Sequence, residues 1–193
     1  MRTLFRALAK LASERPLLAE RIRINFIGTS NQPSHVTHTP VRDLASAEGV
    51  GGLVFEMPRR VPFLEALSVL ARSAGLLLIG SDEPHYTASK IYPALMSGRP
   101  YLSLFHRASS AHYILSAAGG GFSFCFDTAE ELDRLVPVLA AALTRLATAP
   151  GDLGRADPTA YAPYTADAVA GRFAFIFDQL SREAMRSAQN WRV

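Results

Sequence analysis

Apolar residues recur at helical spacing from the start of the chain, at Leu4, Phe5, Leu8, Leu11 and Ala12, and Pro16 closes that helix. The period then changes. In residues 22–28, Ile22, Ile24 and Phe26 alternate with Arg23, Asn25 and Ile27, which predicts a strand ending at Gly28. A polar loop leads to a short helix over about 40–47, stopped by Gly49, and residues 53–56 predict a second strand. From Pro62 a helix places Phe63, Ala66, Leu67, Leu70, Ala71 and Ala74 on one face. Residues 76–80, LLLIG, are apolar on both faces, as a central parallel strand requires. A helix over about 88–96, a strand over 101–105, a helix over 111–118 and a strand over 122–126 follow. Thr128 and Glu131 read as a capping box for a helix running to about Leu146. Residues 147–164 read as a long loop, and a terminal helix over about 166–185 carries Phe173, Ile176, Phe177 and Leu180 on one face.

Strands alternating with helices predict an α/β fold, a Rossmann-like parallel sheet with helices on both faces. The 193 residues suit one such domain over 1–193. An open sheet of this kind begins with a strand, whereas this chain opens with a helix, so the first strand is missing from the pattern.

Charge narrows the function classes only a little. Twenty basic residues against 17 acidic ones give a net charge of +3, and the basic residues are scattered, without the stripe of a nucleic-acid binder. Cys125 is the single cysteine, which excludes an internal disulfide and points to a reducing, cytoplasmic setting. The first helix is basic and amphipathic. A packed surface helix is its ordinary meaning, and a peripheral contact at the inner membrane face is the alternative. No metal set emerges: His35 and His38 are closely spaced but lack completing ligands.

In open parallel sheets the ligand lies beyond the carboxyl ends of the strands. Gly28 and Thr29 follow the first predicted strand, and Arg59 and Arg60 follow the second, where guanidinium forks suit phosphate oxygens. The third loop is the richest: Asp82, Glu83 and His85 precede Thr87, Ala88, Ser89 and Lys90 at the start of a helix, a place that suits a phosphate. Ordinary capping and solvated charge explain the same residues. Acids gathered with Asp82 and Glu83 around Mg²⁺ would instead mark a different doubly wound domain, response-regulator-like or epimerase-like.

The segment SDEPHYTASKIYPALMSGRPYLSLF resembles the donor-site region of GT-B glycosyltransferases, family-4-like, in their C-terminal domain. Thr87, Ser89, Lys90, Ile91, Tyr92, Leu95, Ser97, Gly98, Arg99 and Pro100 carry the likeness, and VFEMPRRVPFLEALSVLARSAGLLLIG is similar to the stretch upstream of it. The likeness covers most of the chain from Ile22 to about Leu146. It implies a nucleotide diphosphate-sugar as donor substrate, no further cofactor, and donor contacts from Gly28, Thr29, Arg59, Arg60, Glu83, His85, Thr87, Ala88, Ser89 and Lys90. It also implies an acceptor-binding domain that is missing here or sits on another chain. Many relatives place two glutamates eight positions apart around this loop and helix. Here His85 and Pro93 stand in those places, with Glu83 as a displaced carboxylate. The alternative function is a non-catalytic nucleotide-binding or regulatory α/β module.

Overall fold

The apolar stripe at the amino terminus becomes the keystone of the core. The computed structural model describes residues 1–30, 38–86 and 88–190, residues 187–190 by backbone alone. Helix α1 (Arg2–Glu14) buries Leu4, Phe5, Ala7, Leu8 and Leu11 almost completely. That face is occupied by protein. Among the described residues no helix is long and apolar enough to cross a membrane.

Pro16 does close α1, and then opens a one-turn helix α2 (Pro16–Ala19), where its missing N–H costs nothing. The chain continues through β1 (Ile24–Ile27), α3 (Pro40–Ala47), β2 (Val54–Met57), α4 (Phe63–Arg72) and β3 (Leu76–Ile79). Next come α5 (Ile91–Met96), β4 (Tyr101–His106), α6 (Ser110–Ala118) and β5 (Gly121–Phe126). After β5 lie α7 (Ala129–Arg134), α8 (Val136–Thr148), α9 (Pro158–Tyr161) and α10 (Ala166–Asn190).

All pairings are parallel, as the alternation of strands and helices requires. They form two separate ladders, β1 with β2 and β3-β4-β5. Ile24 lies opposite Val54, Leu76 opposite Tyr101, and Tyr101 opposite Gly121. Helices cover both faces. On one face α1 packs between α3 and α8, and its apolar residues join Ile24 and Val54 to Leu102, Leu104 and Phe126 in one cluster. On the other face α5, α6 and α9 cover Leu76, Tyr101 and Phe105. Successive residues of β4 thus serve opposite layers, which is why the whole of Tyr101–Phe105 is buried. The architecture is the Rossmann-like α/β fold read from the sequence.

Four expectations change. The single helix over 128–146 is broken at Leu135, because Pro137 has no N–H and is tolerated only in the first turn of a new helix. The capping box is not closed: Thr128 accepts no cap bond, and the Glu131 carboxylate accepts instead from the Asp127 N–H at 2.9 Å. The long loop over 147–164 contains short helical turns, including α9, which the Asp157 carboxylate caps by accepting from the Thr159 N–H at 2.9 Å. The terminal helix α10 is longer than expected, and its apolar stripe of Phe173, Ile176, Phe177 and Leu180 is about half exposed or more.

Candidate functional site

The carboxyl ends of β1 and β2 bring together four of the residues singled out from the sequence. Gly28 turns the chain with φ +72°, a conformation that favours glycine, and its N–H donates to the Met57 carbonyl at 2.9 Å. A Cβ on Gly28 would come 3.7 Å from the Arg60 Cα, so the Gly28–Thr29 and Arg59–Arg60 loops lie against each other. Thr29, Arg59 and Arg60 are exposed.

Under this cluster sits a residue that sequence reasoning missed. Glu56, on β2, is only 6% exposed. Its Oε1 accepts from the Thr29 hydroxyl at 2.6 Å and its Oε2 from the Arg42 N–H at 2.9 Å. Arg42 is in the first turn of α3, where Pro40 has no N–H and Thr39 gives no side-chain cap. A buried carboxylate must be hydrogen-bonded, and the start of a helix supplies both donors and a favourable dipole. The sequence signal was an acid inside an otherwise apolar strand, VFEM.

The second cluster follows β3. Ile79, Gly80, Ser81 and Asp82 line a cavity of about 220 Å³ with Met1, Leu104, Phe126 and Leu132. A side chain at position 80 would meet the Phe105 ring at 2.4 Å, so glycine is needed for the loop to leave the sheet there. The cavity joins the carboxyl ends of β3, β4 and β5 to the start of α1, where burial lowers the pKa of the Met1 amino group. Its volume is below the roughly 300–1,000 Å³ of a typical small-molecule site, so it accommodates only part of a nucleotide.

Beyond the cavity the loop is pinned, not free. The Ser109 hydroxyl donates to the Tyr86 carbonyl at 2.7 Å and accepts from the Ala111 N–H at 3.2 Å, so one side chain caps α6 and clamps the loop. Glu83, His85, Ser89 and Lys90 are exposed, and Ala88 is a buried anchor beside Ile91 and Leu95. Thr87 and His35 lie outside the described residues. His38 stands near Asp43, with Nε2 to Oδ2 at 3.4 Å.

The helix expected from residue 88 begins at Ile91, and Lys90 is its N-cap residue, outside the first turn. Pro93 explains the shift. In a helix begun at 88, Pro93 would remove an interior hydrogen bond and press on the Ser89 carbonyl, whereas in the first turn it costs neither. Residues 88–91 close as a tight turn instead, with the Ile91 N–H donating to the Ala88 carbonyl at 3.1 Å.

Two further arginines, Arg107 just after β4 and Arg99 just before it at the opposite end of the strand, are held by neighbours. Arg107 Nε donates to Asp127 Oδ2 at 2.7 Å, and that bond raises its pKa above its ordinary value. Arg99, from the Gly-Arg-Pro stretch, donates through Nε to the Ala71 carbonyl at 2.6 Å and ties α4 in place. Among the described residues no three histidine, cysteine or acidic side chains gather as a metal cage.

No family model matches the chain, and no curated protein or solved structure matches it significantly.

Proposed function

We propose that this chain is the donor-binding domain of a glycosyltransferase, holding a nucleotide diphosphate-sugar across the carboxyl ends of its strands. One observation carries the reading. The loops after β2 and β3 carry exposed cations, Arg59 and Arg60 in one and Lys90 in the other, and open parallel sheets bind nucleotides beyond the carboxyl ends of their strands. Gly28 and Gly80 keep the backbone low there. In this reading Lys90 and the two arginines hold the diphosphate as negative charge develops on it. Glu83 or His85 meets the sugar or ribose, and Thr87, Ala88 and Ser89 shape the turn beside it. Acceptor binding belongs to a second domain.

A non-catalytic nucleotide-binding module is the second reading. It is favoured by His85 and Pro93, which stand where many relatives of the resembled family carry their two glutamates. Calorimetry with uridine, guanosine and adenosine diphosphates, and with their glucose conjugates, tests the shared ligand. The expected result is saturable binding of at least one of them, and no binding at millimolar concentration rejects both readings. Lys90→Ala should weaken that binding roughly tenfold to a hundredfold, the equivalent of one charge-assisted bond of about 1.5–3 kcal/mol, with folding unchanged. Sugar transfer, tested after an acceptor domain is supplied, separates the enzyme from the module. The 193-residue chain alone should transfer little or none.

A further inference from the structure

The terminal helix α10 carries a core-type face with no core against it. It meets the rest of the domain chiefly at the turn Ala162–Tyr164, where Arg172 donates to the Pro163 carbonyl. From Val169 to Arg186 every residue is exposed, over roughly 27 Å at 1.5 Å per residue. A lone helix of that length is marginal in water, and most helices owe their stability to a buried apolar face. Val169, Phe173, Ile176, Phe177 and Leu180 form such a face, within an arc of about 100° at 3.6 residues per turn. They are 36–61% exposed.

The charges beside this stripe distinguish what covers it. Arg172 and Glu183 both flank the edge that carries Ile176, while Ala170, Ala174 and Ser181 flank the other edge. Arg172 precedes the Phe177–Asp178 bond by as many positions as Glu183 follows it. Two antiparallel helices bring like edges together. A second copy centred on that bond therefore sets Arg172 against Glu183 of the other copy, twice by symmetry. A parallel pair sets each charge against the uncharged edge instead. A lipid surface gains less, because α10 carries three acids and three arginines and so has no net charge to draw it to anionic headgroups.

The area suffices for a pair. A whole phenylalanine side chain offers roughly 200 Å², so the five stripe residues at their exposures present on the order of 500 Å². A groove of about 310 Å³, lined by Tyr164, Val169, Arg172, Phe173 and Ile176, adds its walls. It lies opposite Leu180 and Ala184 of an antiparallel copy. Two copies then bury about 1,200 Å² in all, the lower end of stable, specific interfaces. We propose that α10 joins two copies of this chain as an antiparallel helix pair, with Phe177 against its own counterpart at the two-fold axis and an Arg172–Glu183 pair on either side.

The test uses the whole chain. Sedimentation equilibrium should show a reversible dimer with a dissociation constant on the order of 1–10 μM. Phe177→Glu should weaken it roughly a hundredfold, while the amide NMR shifts of β3, β4 and β5 keep their parent values. Arg172→Glu and Glu183→Arg should each weaken the dimer roughly tenfold, since each turns two attractions into two repulsions. Combined, they should restore it to within about threefold, which loss of the Arg172–Pro163 bond alone would not allow. A chain that stays monomeric at about 100 μM overturns the proposal. So does a dimer indifferent to Phe177→Glu, single swaps without effect, or a double swap that fails to restore pairing. A monomer that floats with phosphatidylcholine vesicles, and loses them with Phe177→Glu, gives the stripe to a lipid surface and equally overturns the pair. Nucleotide binding enters none of these readouts, so the helix pair and the donor site stand or fall separately.

Discussion

Glu56 offers the sharpest test of how the candidate site is held, because one buried carboxylate ties the loop after β1 to the start of α3. Glu56→Ala removes two acceptors. The Arg42 N–H then has no partner in the first turn of α3, and the Thr29 hydroxyl, which is exposed, turns to water. Hydrogen bonds to a charged acceptor contribute about 1.5–3 kcal/mol each, toward the lower end where water competes. The expected loss is therefore about 2–4 kcal/mol, a fall in Tm of roughly 4–15 °C for a domain of this size. Glu56→Gln should cost much less, about 0.5–1.5 kcal/mol, because its carbonyl still accepts from Arg42 and its amide donates to the Thr29 oxygen. Thr29→Val completes a double-mutant cycle. It should cost about 1–2 kcal/mol in the parent and close to nothing beside Glu56→Ala. Urea unfolding followed by circular dichroism gives all four stabilities. Costs that add within about 0.5 kcal/mol would mean that Thr29 and Glu56 are independent, and the loop would then owe its position to something else.

Two other positions give independent checks. Tyr101 is fully buried, and its hydroxyl donates to the Leu115 and Gly119 carbonyls, at 2.6 and 2.9 Å. Tyr101→Phe should cost about 1–2 kcal/mol by urea unfolding at pH 7. Burial pushes the Tyr101 pKa up to about 12, so the unfolded chain releases this proton first. The parent should then lose stability as pH rises above 10, and Tyr101→Phe should lack that part of the loss. His112 titrates in the opposite region. Burial, then the charge of Arg107, lowers its pKa below the ordinary 6.5, so the unfolded chain binds the proton more readily. Its contribution is fully present above that value and is lost as pH falls through the range below it. Unfolding at pH 7.5 and 5.5 should show a smaller loss in His112→Gln, and an equal loss would refute the assignment.

Much of the architecture was legible because burial on both sides leaves a plain mark on sequence. Residues 76–80 read as a central strand, 101–105 as a strand, and Leu4, Leu8 and Leu11 as one helix face; burial is continuous over Tyr101–Phe105 but in β3 is confined to Leu76. Boundaries were less legible where proline has two meanings. Pro93 and Pro137 look like interior positions of helices when read by periodicity, and each proved to mark a first turn. The site was readable as a set of loops, because strand ends can be located from strands. Its internal bonding was not. Glu56 pairs with Thr29 and Arg42 across 27 and 14 positions, and Ser109 reaches Tyr86 across 23. Such partners are chosen by the packing of the sheet, which no local window contains.

The position of α1 has a consequence for the order of events during synthesis. The residues of α1 leave the ribosome long before α8, against which they must pack, and Arg6 finds Asp133 only across 127 positions. Until about 148 residues exist, the stripe of Leu4, Phe5, Leu8 and Leu11 has lost water's tolerance without gaining its final neighbours. At roughly 5–20 residues per second that interval lasts about 7–30 s. Closing so long a loop favours slow folding, so the nascent α1 is the stretch most in need of a chaperone's cover.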